Sequence, residues 1–143
     1  MKKIFIYCLV LVFIVAGCKK ESSKQPTLIN TQWVLSYIQD TKSNVINNYP
    51  ADESKKIVID FTNLSNVISF NGICNSGSGK YSFSASTGTV EITDIATTKI
   101  ACKYVEWEGY TIQSLNKAYS YKVNGSNLTF YTNGDYNLYF IKK

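Results

Sequence analysis

The sequence predicts a mainly β fold with one helix, an α+β arrangement in which a curled antiparallel sheet is covered by that single helix. Three observations lead there. Most segments alternate apolar and polar residues with a period of two, one segment repeats at steps of three and four, and Asn-Gly turns cut the last stretch into short strands.

The segments can be taken in order. TQWVLSYIQ, residues 31–39, places Trp33, Leu35 and Tyr37 on one face, because neighbouring strand side chains point to opposite sides. TKSNVINNYPADES, residues 41–54, is rich in Asn and Ser around Pro50 and reads as a long loop. KKIVIDF, residues 55–61, sets Ile57, Ile59 and Phe61 on one face, and NVISF, residues 66–70, is a β-branched and aromatic run. KYSFSA, TVEITDI and TTKIAC, beginning at 80, 89 and 97, read as further short strands. In KYVEWEGYTIQSLNKAY, residues 103–119, Tyr104, Trp107, Thr111, Leu115 and Ala118 recur at helical steps. Gly109 inside that run costs the helix about 1 kcal/mol. YSYKV, NLTFYT and YNLYFIK close the chain as an antiparallel meander, turning at Asn124-Gly125 and Asn133-Gly134-Asp135.

The start of the chain, MKKIFIYCLVLVFIVAGCKK, carries two lysines, an apolar stretch from Ile4 to Ala16, then Gly17 and Cys18. That stretch is shorter than a spanning helix requires and has the layout of a secretion signal. Val15-Ala16-Gly17-Cys18 resembles a bacterial lipobox, in which the cysteine is acylated and becomes the first mature residue. The expected layout is a lipoprotein signal peptide at 1–17, a lipidated Cys18 with a flexible tether over 18–29, and one domain over 30–143. Two or three acyl chains hold such a protein on a membrane without spanning it. Lys19 after the cysteine is compatible with the outer membrane of a double-membraned bacterium.

Of 15 basic residues against 10 acids, Lys2 and Lys3 fall in the signal, leaving 13 − 10 = +3 spread along the chain. No basic stripe marks a nucleic-acid partner. Histidine and arginine are both absent. This removes histidine-based catalysis, zinc-protease helices and bidentate phosphate clamps.

NGICNSGSGKYSF, residues 71–83, looks at first like a phosphate cradle. The Walker spacing before Gly79-Lys80 puts Cys74 where a glycine is needed and Tyr81 where a hydroxyl residue is needed. The dinucleotide fingerprint lacks its third glycine. With Cys8 in the signal and Cys18 acylated, Cys74 and Cys102 remain, too few for zinc. In an exported protein a Cys74–Cys102 disulfide is favoured over two free thiols. The glycines and serines then read as a tight turn between strands. No cofactor or metal is expected.

Asn71-Gly72-Ile73-Cys74-Asn75 with Gly79-Lys80-Tyr81 resembles the glycine-cysteine-asparagine and glycine-x-tyrosine motif of the META or HslJ-like domain family. Thr98-Lys99-Ile100-Ala101-Cys102 resembles the family's threonine-x-methionine-alanine-cysteine, Trp33-Val34-Leu35 its opening, Glu108 and Leu115 its helix, and Leu128 with Leu138 to Phe140 its last hairpin. The resemblance spans about residues 28–141 and implies a β-rich domain with one helix, similar to a cracked barrel. It also implies a link to heat shock and novobiocin tolerance, without a molecular activity.

The leading functional expectation is a non-catalytic binding or scaffold lipoprotein holding an envelope protein or hydrophobic ligand in a groove beneath the helix. Tyr119, Tyr121, Tyr131, Tyr136 and Tyr139 could stack on a ligand, although tyrosine on a strand more commonly packs against the sheet. A lipocalin-like carrier is the alternative, set apart because a closed eight-stranded barrel needs more strand than this pattern offers and no such helix. A carboxylate-dependent hydrolase would have to draw on Asp60, Glu91, Asp94, Glu106 and Glu108. Their spacing pairs none of them on one face, and they read as solvated charges.

Overall fold

The computed structural model describes residues 28–63 and 65–143. The expected signal peptide, Cys18 and the tether up to residue 27 lie outside the described residues. Within them run, in order, β1 (Thr31–Asp40), β2 (Ile46–Asn48), β3 (Val58–Phe61), β4 (Val67–Asn71), β5 (Ser76–Ser84), β6 (Thr89–Thr97), α1 (Val105–Leu115), β7 (Ala118–Asn124), β8 (Asn127–Thr132) and β9 (Tyr136–Lys142). No helix among them is long and apolar enough to cross a membrane.

Eight strands close into an antiparallel barrel in the order β1-β3-β4-β5-β6-β7-β8-β9, with β9 returning to β1 from Trp33 paired with Lys142 to Asp40 paired with Tyr136. β2 lies outside that ring, extending the β3 side of β1 along Tyr37–Gln39. Closure is uneven. β6 and β7 share one registered pair, Thr89 with Ser120, supported by the Tyr121 N–H donating to the Gly88 carbonyl at 2.8 Å. The expected curled sheet is therefore closed, with a narrow seam between β6 and β7. The strand that the sequence pattern lacked comes from the length of β5 and β6, nine residues each.

The two-residue period fills the barrel from inside. Trp33, Leu35, Ile59, Phe61, Ile68, Phe70, Ile92, Leu128, Phe130, Leu138 and Phe140 are all buried there. Each such side chain contributes about 1.5–3 kcal/mol relative to exposure. Ile57, Ile59 and Phe61 share a buried face as expected. Tyr37 does not. A bulge between Leu35 and Tyr37 shifts the register, so Ile38 turns inward and Tyr37 turns outward to stack on Tyr139 at 4.3 Å between ring centroids. The core also takes in Leu28, two residues before the expected domain start.

Three other expectations change. The long loop contains β2; TTKIAC contributes only Thr97 to a strand, and residues 98–104 form an irregular crossing segment; and the helix is limited to Val105–Leu115. That helix does not lie across an open sheet. It caps the barrel end where β4 turns into β5, β6 finishes and β7 begins, burying Glu108, Thr111, Ser114 and Leu115.

Tyr121 is buried in the wall beside Phe83, and its hydroxyl is the one buried side-chain polar atom without a hydrogen-bond partner among the described residues. A buried hydroxyl without a partner costs about 1–3 kcal/mol. Tyr121→Phe should therefore leave the urea midpoint unchanged or raise it. A loss above about 1 kcal/mol would mean that the hydroxyl has a partner after all.

Candidate functional site

The run at 71–83 serves the barrel end. Gly72–Asn75 make the turn from β4 to β5, closed by the Gly72 N–H donating to the Asn75 carbonyl at 2.7 Å. Gly77, Ser78 and Gly79, expected as the turn, are instead inside β5. A Cβ on Gly77 would overlap the Ala96 carbonyl of β6, beside the irregularity at Ser78–Lys80. A Cβ on Gly72 would overlap the Glu108 carboxylate. Close approach of backbone and carboxylate therefore explains these glycines without a phosphate.

Glu108 is the centre of the cluster. It is 2 % exposed, the only buried charged side chain among the described residues, and not the solvated charge that helical periodicity implies. Its Oε1 accepts from the Cys74 N–H at 2.7 Å and the Asn75 N–H at 3.1 Å, and its Oε2 accepts from Asn75 Nδ2 at 2.6 Å. Asn75 passes the connection on: its Oδ1 accepts from Thr98 Oγ1 at 2.9 Å and the Ile100 N–H at 2.7 Å, and its Nδ2 also donates to the Ile100 carbonyl. A disulfide joins Cys74 to Cys102 beside these bonds. Helix, turn and crossing segment are thus tied together by one carboxylate, one amide and one covalent link. Held by three donors, this carboxylate is the fastener of that end of the barrel.

The remaining carboxylates stay apart. Asp60 accepts from Gln32 Nε2 at 3.1 Å, Asp94 lies 3.4 Å from Lys80, and Glu91 and Glu106 are exposed. No group of three or more metal-capable side chains converges among the described residues. Asp52 accepts from Lys103 Nζ and Tyr104 Oη, both at 2.8 Å, and these bonds hold its carboxyl below the usual range. This latch pins the 49–57 loop to the left-handed Tyr104 at the start of the helix.

Tyr49 packs on Trp107 from the same loop, 5.4 Å between ring centroids. Burial first, then the nearby Glu53 charge, push its phenol up to about 12. The folded protein thus keeps this proton after the unfolded chain, with its phenol pKa near 10, has released it. The stability contributed is complete below about pH 10 and is lost as the pH rises towards 12. Urea denaturation across that window should decline more steeply for the wild type than for Tyr49→Phe. Equal slopes would remove Tyr49 as the cause.

Between the crossing segment and the helix lies an open groove of about 350 Å³, bordered by Thr97, Ile100, Ala101, Val105, Gly109 and Ile112. Ile100 is 57 % exposed at its rim. A Cβ on Gly109 would meet nothing within 4 Å, so packing does not demand glycine there, and its bare backbone keeps the helix wall of the groove low. The tyrosines are divided: Tyr121 is in the core, Tyr136 packs on Tyr110, Tyr119 is exposed, and Tyr131 and Tyr139 border a second groove on the outer wall. Periodicity singled out neither Glu108 nor Asn75, because a helix face read by apolarity assigns a carboxylate to solvent. Their place in the resembled motifs was the available signal.

No curated protein sequence matches the chain. Among solved structures it is similar to a protein from Burkholderia xenovorans determined by NMR, with a TM-score of 0.68 at 19 % identity over 81 % of this chain and 83 % of that one. It is also similar to a DUF4847 family protein from Bacteroides vulgatus, with a TM-score of 0.59 at 14 % identity over 80 % and 93 % of the two chains. These likenesses concern the fold. The META domain family model matches residues 26–143, and this chain belongs to the META domain family.

Proposed function

We propose that this META-domain protein is a non-catalytic binding module of the bacterial envelope, anchored by lipid at Cys18 and taking an apolar peptide segment of an envelope protein in the groove beside its helix. The observation that carries the reading is the groove itself: Ile100, Ala101, Val105 and Ile112 offer apolar surface, Gly109 leaves room, and the Glu108–Asn75 fastener with the disulfide holds both walls in place before any partner arrives. A preformed groove loses less entropy on binding than one that must order itself. Against hydrolysis stand the engagement of Glu108 by three donors and the separation of the other carboxylates. An interior lipid carrier would have to displace Trp33, Phe61, Phe70, Phe130 and Phe140, which fill the barrel. An envelope-stress or drug-tolerance role fits a tethered scaffold of this kind.

Two experiments test the proposal. Cys18→Ser should leave an unprocessed precursor, and mass spectrometry of the membrane fraction should find acyl chains on wild-type Cys18. A photo-crosslinking residue at Ile100 should capture one envelope protein reproducibly, and Gly109→Phe, which fills the groove, should abolish the capture. A soluble, unacylated chain would overturn the anchor. Capture that survives Gly109→Phe would overturn the groove.

A further inference from the structure

The outer wall of the barrel carries a second concavity, which shares no residue with the helix groove, of about 380 Å³. Small-molecule sites fall in the range of roughly 300–1,000 Å³. Its form follows from the register. Tyr37, Tyr139, Thr129 and Lys122 are successive cross-strand neighbours on β1, β9, β8 and β7, so a small threonine sits between a tyrosine stack and a lysine. Asn127, Thr129 and Tyr131 occupy alternate positions along β8 and line the same concavity. The result is a trough along β8, walled by rings on one side, with Tyr131 at one end and Asn124 and Asn127 at the other.

Cross-strand pairing alone explains Tyr37 against Tyr139, whose hydroxyl also donates to Gln39 Oε1 at 2.7 Å and so fixes the stack. Asn124 and Asn127 flank the β7–β8 turn, and their side-chain amides border the trough beside a third ring, Tyr131. Flat rings next to amides and hydroxyls suit a ligand that is apolar on its faces and rich in hydroxyls around its rim. A pyranose sugar has that character: its C–H faces lie on aromatic rings, and its equatorial hydroxyls exchange hydrogen bonds with amides. Lys122 is the only charged side chain on the lining, so a polyanion finds no cluster to bind it, while one sugar carboxylate would be accepted. The amides and hydroxyls would be left unpaired under a lipid chain, which disfavours that ligand.

We infer that this trough is a carbohydrate-binding site, which takes a short run of pyranose units against Tyr131 and the face of Tyr139 turned away from Tyr37. The site is independent of the helix groove, and a lipid-anchored protein that holds both would link an envelope protein to a glycan.

The test uses the full chain in detergent micelles, titrated by calorimetry with β-linked tetrasaccharides of N-acetylglucosamine, glucose and mannose and with the α-linked tetrasaccharide of galacturonate. At least one should bind saturably, and amide shifts in ¹⁵N spectra should move along β8 and β9. Tyr131→Ala and Tyr139→Ala should each weaken binding about tenfold, as loss of one buried aromatic contact does. Tyr131→Phe keeps the ring and should bind within about twofold of wild type. Lys122→Gln should weaken galacturonate alone, and Tyr119→Ala, outside the trough, should change nothing. Binding of none of the four sugars, shifts confined to other strands, or self-association through this face in sedimentation would each overturn the site. The Ile100 crosslinking result is unaffected by these outcomes, so the two proposals fail separately.

Discussion

Glu108→Ala should lower folding stability by about 3–5 kcal/mol, the sum of two or more orphaned buried donors at about 1–3 kcal/mol each and a small cavity. The donors are the Cys74 and Asn75 N–H groups, which lose their acceptor outright, and Asn75 Nδ2, which retains the Ile100 carbonyl and the Cys74 sulfur. Water cannot replace the carboxylate easily, because Gly72 and Asn75 press against it. Glu108→Gln is the more informative variant. Its carbonyl oxygen could serve the two backbone donors, but its amide would then face Asn75 Nδ2, donor against donor, and the loss should be about 1–3 kcal/mol. Asn75→Ala combined with either variant should cost less than the sum of the single changes, since both act on one network. Urea denaturation monitored by tryptophan fluorescence measures the wild type, the three single variants and the two double variants, with Trp107 one residue from the site. A Glu108→Ala loss below about 1 kcal/mol would show that the carboxylate is not the fastener of this end.

The parts of the fold that were legible in the sequence are those where one physical effect dominates. Ile57, Ile59 and Phe61 follow the strand period without interruption, and burial of one strand face decides their orientation. Tyr37 follows the same pattern but faces outward, because the bulge at Leu35–Tyr37 inserts one residue that no period can announce. β2 was hidden for another reason: its three residues, Ile46, Asn47 and Asn48, are all exposed, so burial left no signature. Barrel closure rests on β1 pairing with β9 across the whole chain, a non-local contact that local patterning does not encode. At the site, Cys74 and Cys102 could be singled out by elimination, since chemistry leaves few uses for two exported thiols. Glu108 could not, because its burial is made tolerable only by donors 33 and 34 residues away.

The remaining large effect concerns the disulfide. Cys74→Ala or Cys102→Ala should each destabilise the protein by about 2–5 kcal/mol, and the double variant should cost scarcely more than either alone, because the link is lost once. The bond joins residues 28 apart in sequence, and closing a loop of that size in the unfolded chain is worth about 3–4 kcal/mol in the chain-entropy model. Geometry adds a local effect. Residues 98–102 belong to no strand or helix, and apart from the disulfide they are held by the Asn75 bonds to Thr98 and Ile100 and by the bonds between Thr98 and Ser76 at the start of β5. Reduction should therefore loosen the crossing segment before the barrel, and amide exchange at Ile100 and Ala101 should accelerate while β8 and β9 stay protected. The same reduction should weaken capture at the helix groove, whose outer wall is this segment, and leave the sugar-binding trough on β8 unchanged. If the unreduced, unfolded protein presents two reactive thiols at Cys74 and Cys102, the segment is held by hydrogen bonds alone, and neither the loss of stability nor the selective effect on the groove will be seen.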